Sequence, residues 1–339
     1  MVDAEPPEFV KYLGEDPLSS WWPWVVALFV GVVTCIKGYM GGADCPSKAR
    51  IDSKWVIVTG ANCGIGLETA KELAKKGAKL ILACRDEKKG EEARDEVRKV
   101  AQNAVLIVEK LDLCSFESIK QFVTNLGNTE VDILINNAGV VFHPEGRTVD
   151  GFEFHLQTNY LGPFLLTHLL LPKLKARKGR VINVSCVANF AGDIHMENLN
   201  MEGCYSSREA FGQSKLALVM MTVEMAKRLK GSGVTFNALH PGMVRGTQHM
   251  RHSPFSSSII LKAPMVPWIW LFTKNPHQGC QTTVYLAIES GLQKTTGKYF
   301  ADCSETNMAE KAHNGDLTKA LYEKTCQLVG IKSIEKSKH

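Results

Sequence analysis

The sequence lacks several familiar signals. Among its 339 residues are ten cysteines, but there is no CxxC pair and no Cys/His cluster at zinc spacing. We therefore expect reduced, mostly buried thiols in a reducing compartment, with a disulfide framework as the less favoured alternative. No basic run carries interleaved aromatic residues and the net charge is only +5, so nucleic acid is not an expected partner. With 45% hydrophobic and 22% charged residues, the chain can bury a large core.

Charge is also absent from Trp21 to Ile36, a stretch just long enough to approach a bilayer span. The preceding residues, 1–20, form an acidic segment, which is unlike a secretory signal or a mitochondrial transit peptide. Basic residues follow the apolar stretch: Lys37, Lys48, Arg50 and Lys54. We predict a membrane anchor at residues 21–43 with the main domain in the cytosol. An amphipathic or membrane-dipping hairpin is the alternative.

A glycine-rich turn follows a short strand within KWVIVTGANCGIG, Lys54 to Gly66. A strand, a glycine turn and a helix in this order present backbone N–H groups and a helix N-terminus to a pyrophosphate. The alternative is an ordinary tight turn. The predicted dinucleotide contacts in this segment are Gly60, Asn62, Cys63, Gly64, Ile65 and Gly66.

The second predicted strand, AKLILACRD, ends at Arg85. An acidic residue near this strand end binds the ribose 2′-hydroxyl of NAD, whereas an arginine accommodates the 2′-phosphate of NADP. Arg85 therefore favours NADP(H), helped by Lys88 or Lys89, and a solvated surface arginine is the alternative. The adjacent Asp86 keeps NAD(H) as the less favoured cofactor.

Apolar strands and helical patterns alternate along the rest of the chain. One strand ends at Asp112, and a very apolar one, VDILINNAG, ends at Gly139. This alternation predicts an α/β fold with a Rossmann-type doubly wound parallel sheet that is buried on both faces. We assign it to a single domain, residues 51–331.

Several motifs occur together in a specific order, and they carry a resemblance to a known family. The chain resembles the short-chain dehydrogenase/reductase family over residues 51–331. Within it, the segment TGANCGIGLETAKELAKKGAKLILACRD is most similar to the membrane-anchored retinol dehydrogenases, and a related group acts on polyprenol-type lipids. The matching motifs are Thr59-Gly60-x3-Gly64-x-Gly66, Asp112, Asn136-Asn137-Ala138-Gly139, Asn159, Ser185, Lys215 and Pro241-Gly242.

The resemblance implies roles around the cofactor. Asp112 would contact the adenine, and Asn159 would hold a helix bulge and a water of a proton relay. Ser185 would hydrogen-bond the substrate oxygen, and Lys215 would bind the nicotinamide ribose. The remaining cofactor contacts implied are Asn137, Ala138, Gly139, Pro241, Gly242 and Thr247. The family usually has a threonine where this chain has Gly246, and Thr247 comes one residue later.

The clearest departure from the family lies in EAFGQSKLALV, where Phe211 replaces the expected catalytic tyrosine four residues before Lys215. Residues at i and i+4 share one helix face, so a lysine there would lower the pKa of a phenol one turn away. Phenylalanine has no exchangeable proton, and losing a general acid typically costs roughly 10²–10⁴-fold in rate. Tyr205, His195 and Ser214 are the possible substitutes for the missing tyrosine, and no sequence pattern favours any of them.

Two functions follow from these patterns. The first is an NADP(H)-dependent oxidoreductase that transfers a hydride to or from a lipophilic alcohol or carbonyl, such as a retinoid, sterol or polyprenoid. The second is a catalytically silent family member that binds a dinucleotide and serves as a sensor, scaffold or partner subunit. An apolar segment, residues 258–272, is interpreted as a substrate lid, with a core helix or dimer contact as the alternative. The resemblance also implies an endoplasmic reticulum membrane, with a mitochondrial membrane less favoured, and a homodimer.

Overall fold

The computed structural model describes residues 21–246 and 266–335. Its strands are β1 (Trp55–Thr59), β2 (Lys79–Cys84), β3 (Leu106–Lys110), β4 (Ile133–Asn136), β5 (Arg180–Val184), β6 (Thr235–Leu239), β7 (Lys298–Ala301) and β8 (Ser304–Thr306). Its helices are α1 (Trp22–Gly41), α2 (Gly64–Lys75), α3 (Glu87–Val100), α4 (Phe116–Asn125), α5 (Phe154–Leu156), α6 (Gly162–Arg177), α7 (Ser207–Arg228), α8 (Val266–Phe272), α9 (Pro276–Ile288) and α10 (Gly315–Val329). A π-helical turn, Gln157–Leu161, joins α5 to α6.

The strands form one sheet in the order β3-β2-β1-β4-β5-β6-β7-β8, in which only the last pairing is antiparallel. Strands β4, β5 and β6 are buried almost throughout, because helices cover both faces of the sheet. The predicted Rossmann-type α/β fold is confirmed. The strand order reverses between β1 and β4, and a crevice forms at the carboxyl ends of strands at such a point.

Each face of the sheet packs against its own hydrophobic cluster. One cluster joins the sheet to α4, α6, α7 and α10, and its large side chains include Phe122, Phe164 and Phe236. The other joins the sheet to α2 and α9 and includes Leu73, Val58 and Cys280. Burial of Cys280 raises the pKa of its thiol. All ten cysteines are free thiols, but the expectation that most are buried is wrong, because only Cys84, Cys280, Cys303 and Cys326 are.

Side-chain caps determine where several helices begin. The side chain of Ser206 accepts a hydrogen bond from the Glu209 N–H, so α7 begins at Ser207. Asn275 and Gln278 form a reciprocal capping box at the start of α9. Because α7 begins after Tyr205, that tyrosine lies in the preceding loop and not on the helix.

Helix α1 is mostly exposed, and among the described residues it alone is long and apolar enough to cross a membrane. It lies within the predicted anchor, residues 21–43. Of the predicted lid, only the part from Val266 onward is described, and it forms α8. None of the residues of α8 is buried, so the core-helix interpretation is wrong for this part.

His168 gives the fold a testable dependence on pH. Its Nδ1 lies 2.8 Å from the Phe164 carbonyl oxygen, its Nε2 lies 3.0 Å from the Tyr322 hydroxyl, and burial lowers its pKa to about 4. The unfolded chain therefore binds a proton at this histidine below pH about 6.5, while the folded chain does not until pH about 4. Stability should fall as the pH drops through this window, by up to about 3 kcal/mol.

The measurement is urea unfolding of the full chain in detergent micelles between pH 7 and 4. His168→Gln should flatten this part of the profile, whereas His313→Gln, at an exposed position, should leave it unchanged. If the His168 variant keeps the wild-type slope, the buried neutral histidine is not its source.

Candidate dinucleotide-binding and active site

A groove of about 270 Å³ lies at the carboxyl ends of the central strands. It brings together most of the cofactor contacts predicted from the sequence, which come from four separate strand–helix connections. The predicted residues that line it are Gly60, Asn62, Cys63, Gly64, Ile65, Gly66, Arg85, Asp112, Asn137, Ala138 and Gly139. Other lining residues are not among the predicted cofactor contacts, including Cys114, His143, Phe154, Thr158 and Thr59, the last of which is named only as part of the glycine motif.

The glycine turn after β1 has a shape that only glycine can provide. Gly60 and Gly64 have φ values of 65° and 56°, a region that side chains rarely adopt. A Cβ on Gly66 would collide with the carbonyl oxygen of Gly60 and lie 2.5 Å from the Asn137 amide nitrogen. The close approach leaves a backbone-lined cradle at the N-terminus of α2, which fits the pyrophosphate of a dinucleotide.

Thr59 fixes the floor of this cradle. Its Oγ1 accepts hydrogen bonds from the backbone N–H groups of Asn137 (3.0 Å) and Ala138 (2.9 Å). In return, the Asn137 side chain donates to the Thr59 carbonyl oxygen at 2.8 Å. The last residues of β1 and the loop after β4 are thereby held together. In the sequence, the position of Thr59 directly before the glycine turn indicates this role.

The rim near β2 and β3 carries the groups predicted to face the adenosine half. Arg85 is exposed after β2, and the neighbouring Asp86 carboxylate accepts a hydrogen bond from the Lys89 N–H as the N-cap of α3. The Asp112 carboxylate accepts from the Cys114 N–H at 2.9 Å. Of the two charged residues directly after β2, Asp86 caps α3 and Arg85 does not.

Asn159 lies in the π-helical turn and joins the groove to α7. Its Oδ1 accepts from the Val140 N–H (2.8 Å), and its Nδ2 donates to the Val140 carbonyl (3.0 Å) and to the Ser214 hydroxyl (2.9 Å). A Cβ on Gly139 would lie 2.9 Å from Asn159 Oδ1. The bulge implied for this residue is present, and the side-chain amide holds the loop beside the groove.

Lys215 is buried beside the same loop. Its ammonium donates to the Val184 carbonyl oxygen at 3.0 Å, and burial lowers its pKa from the ordinary value. A Cβ on Gly139 would lie 3.3 Å from Lys215 Nζ, so the lysine head group adjoins the end of the groove. Lys215 itself does not line the groove, and the ribose contact implied for it stays a prediction.

Ser185 is turned into the protein. Its hydroxyl donates to the Lys215 carbonyl oxygen at 3.0 Å, and only 3% of the residue is exposed. The next residue, Cys186, is partly exposed, and the positive charge of Lys215 counteracts the burial that raises the pKa of its thiol. The substrate contact implied for Ser185 stays a prediction.

Phe211 lies in the second turn of α7, among aromatic rings. Its ring centroid lies 6.4 Å from that of Phe142 and 6.0 Å from that of His155. The Tyr205 hydroxyl donates to the His143 carbonyl oxygen at 2.6 Å, and the Ser214 hydroxyl donates to the carbonyl oxygen of Phe211 at 2.8 Å. Burial raises the pKa of Tyr205 to about 12. The hydroxyls of Tyr205 and Ser214 are therefore both engaged with the backbone. His195, the third possible substitute for the missing tyrosine, is exposed.

The loop after β6 contributes less to the groove than predicted. Pro241 and Gly242 follow β6 but do not line it. Gly242 has φ 81°, and its N–H donates to His240 Nδ1 at 3.2 Å. Gly246 is the last residue described before a gap, and Thr247 lies outside the described residues.

Comparison with known proteins agrees with this geometry. A family model described as short chain dehydrogenase matches residues 54–255. Retinol dehydrogenase 13 of Homo sapiens is 44% identical to this chain, over 94% of this chain and 95% of the relative. Retinol dehydrogenase 12 of Homo sapiens is 43% identical, over 89% of this chain and 94% of the relative.

A solved structure agrees as well. An uncharacterized protein from Mycobacterium Paratuberculosis superposes with a TM-score of 0.69 at 32% identity, covering 86% of this chain and 98% of that one. The chain therefore belongs to the short-chain dehydrogenase family, as predicted. It is an oxidoreductase related to retinol dehydrogenases, with a fold that binds a nicotinamide dinucleotide.

The glycine cradle can be tested directly. Gly66→Ala should lower the affinity for nicotinamide dinucleotides and destabilise the fold by about 1–3 kcal/mol, because the added methyl overlaps the Gly60 carbonyl. Dinucleotide titration by fluorescence and thermal unfolding measure the two effects. Gly315→Ala is the matched control, since a Cβ there meets nothing nearer than the flexible end of Lys227 at 3.9 Å. Unchanged binding in the Gly66 variant would contradict the cradle assignment.

Proposed function

We propose that this chain is an NADP(H)-dependent oxidoreductase that acts on a lipophilic alcohol or carbonyl, with turnover lowered by Phe211. The observation that carries this proposal is that Asn159 and Lys215 both lie beside Gly139, which lines the dinucleotide groove. These are the two groups that the family resemblance assigns to the proton relay and to the nicotinamide ribose. The names of the retinol dehydrogenase relatives support a retinoid-like substrate.

The preference for NADP(H) is supported by the charges at the groove rim. A 2′-phosphate near the end of β2 would meet the Arg85 guanidinium and Lys89, which both line the groove. The Asp86 carboxylate, the group that would bind a ribose 2′-hydroxyl, already caps α3. Arginine binds phosphate through charge-assisted hydrogen bonds, so the rim favours the phosphorylated cofactor.

The reaction needs a hydride carrier and a proton at the substrate oxygen. The nicotinamide supplies or accepts the hydride when it is bound. Lys215 would hold the ribose, and the Asn159 contacts keep the loop of Gly139 and Val140 in place. At position 211 a phenylalanine ring offers no proton, so the substrate oxygen must exchange its proton with another group or with solvent. This is the physical reason for a reduced rate.

The anchor and its location complete the proposal. Helix α1 would cross the membrane of the endoplasmic reticulum, with the dehydrogenase domain in the cytosol. The basic residues after α1 support this orientation. A substrate dissolved in the bilayer would then be close to the domain, which suits a lipophilic molecule.

A catalytically silent dinucleotide-binding protein is the second candidate. It is favoured by the packing of Phe211 against Phe142 and His155, which places rings where an acid would be needed. It is also favoured by the engagement of the Tyr205 and Ser214 hydroxyls with backbone carbonyls.

Arg85→Ala tests the cofactor preference. Loss of one charge-assisted contact to a 2′-phosphate should raise the Kd for NADPH by about 10–100-fold, while the Kd for NADH should change by less than about twofold. Both are measured by fluorescence titration of the full chain. Lys88→Ala is the control, because this exposed lysine does not line the groove. Equal weakening of both cofactors would reject the assignment of Arg85 to the 2′-phosphate.

Phe211→Tyr tests whether the site is an impaired enzyme. Restoring a phenol one turn from Lys215 should raise the rate of NADPH-dependent retinal reduction by about 10²–10⁴-fold. The control is Phe152→Tyr, which adds the same hydroxyl in a loop that packs on Phe116.

The two candidate functions give different results in this assay. A wild-type rate within about tenfold of the tyrosine variant would reject both the silent alternative and the assigned impairment. If NADPH binds but the tyrosine variant stays inactive on retinal, a sterol ketone and a polyprenal, the enzyme proposal is rejected.

A further inference from the structure

Helix α8 presents an unusual surface to solvent. Its seven residues, VPWIWLF, include none that is buried, and Trp268 is 63% exposed, Ile269 41% and Trp270 45%. The rings of Trp268 and Phe272 stack at 6.0 Å. A continuous apolar patch of this kind marks a contact surface, and tryptophan is the residue most typical of the membrane–water interface.

This helix is attached directly to α1. The Lys37 ammonium donates to the carbonyl oxygens of Trp270 and Thr273, both at 2.7 Å, and lies 5.3 Å from the centre of the Trp270 ring. Arg245 donates to the same two carbonyls, at 3.2 Å and 2.9 Å. These carbonyls at the end of α8 therefore have charged donors inside the protein. Near hydrocarbon, such partners are needed because water cannot supply them.

The end of α1 is seated on the folded domain. Gly41 is buried, and a Cβ there would lie 2.7 Å from Gln278 Nε2. Gly42 has φ 71°, and a Cβ there would collide with the head groups of Lys274 and Asp302. The described chain thus passes from α1 into the domain through a close-packed turn, which fixes how the domain faces any membrane that α1 crosses.

The position of Lys37 sets the depth of α8. It lies four residues before the last residue of α1, so about 6 Å from that end of the helix. A 20-residue helix is about 30 Å long, equal to the hydrocarbon thickness, so Lys37 lies about 6 Å inside the edge of the apolar layer. A lysine is tolerated at this level because its long side chain extends toward the interface, and here its ammonium binds the two carbonyls of α8 and the residue after it. Helix α8, bound to Lys37, lies at the same level.

We propose that α8 and the last turn of α1 form one membrane-contacting surface, with Trp268, Ile269 and Phe272 inserted into the interface of the bilayer that α1 crosses. The partner is the lipid bilayer, because the patch is continuous with the anchor helix and bordered by Lys37 and Arg245, which suit anionic headgroups. The inference rests on the membrane anchoring proposed above.

The surface is joined to the loop after β6 by backbone pairing. The Lys274 N–H donates to the Met243 carbonyl at 2.8 Å, and the Arg245 N–H donates to the Lys274 carbonyl at 2.9 Å. The loop after β6, which carries Pro241 and Gly242, is therefore paired with the junction between α8 and α9. The bilayer contact would hold this side of the domain against the lipid.

Photocrosslinking tests the proposal without depending on activity. The full chain, reconstituted in phosphatidylcholine–phosphatidylserine liposomes, would carry p-benzoylphenylalanine at one position at a time. Trp268 and Ile269 probe α8, Phe29 (68% exposed) probes α1, and Val149 (83% exposed) is the control away from both helices. Each variant is accepted only if its NADPH titration matches that of the unmodified chain.

Mass spectrometry should find lipid adducts from the probes at Phe29, Trp268 and Ile269, well above the yield at Val149. Lipid adducts at Phe29 with only control levels at both α8 positions would overturn the inference and leave anchoring by α1 intact. Control levels at all positions would reject the anchoring and the inference together. Crosslinks from α8 to a second copy of the chain in place of lipid would show a dimer contact and would overturn the inference as well.

Discussion

The candidate site depends on the hydrogen bonds made by the side-chain amide of Asn159. It satisfies both backbone groups of Val140 and reaches the Ser214 hydroxyl on α7. A buried amide that lost these partners would carry a large desolvation cost, so the three contacts select one arrangement of the loop and the helix. Because the loop also contains Gly139, these hydrogen bonds connect the wall of the groove to α7, the helix that carries Lys215.

A second set of buried hydrogen bonds lies beneath the site. The Asn136 amide donates to Asn183 Oδ1 at 2.8 Å, and the Asn183 amide donates to the Thr222 hydroxyl at 2.8 Å, which joins β4, β5 and α7 inside the core. This polar chain positions α7 independently of the residue at position 211. Exchanging tyrosine for phenylalanine therefore removes a hydroxyl from a frame that does not need it for folding, which is why Phe211→Tyr is an informative change.

What could be predicted from the sequence depended on local constraints. The glycine spacing and the strand ends at Arg85, Asp112 and Gly139 predicted the groove, because parallel strands bring their carboxyl ends to one edge. The direction of the Ser185 hydroxyl could not be predicted, since it depends on the distance to the α7 backbone. The exposure of α8 was also not predictable, because an apolar run reads alike whether a protein core or a bilayer covers it.

The polar neighbours of an apolar segment distinguish these two cases. A core helix is enclosed by other elements, whereas α8 packs against α1 and its terminal carbonyls are bound by cations from α1 and from the loop after β6. In water, the hydrogen bonds from the Lys37 ammonium to two carbonyl oxygens would add little stability, because water would compete for all three groups. At the membrane interface water is scarcer and the same contacts are stronger. The arrangement of Lys37, Trp270 and Arg245 thus supports the proposal that α8 and the end of α1 form one surface that contacts lipid.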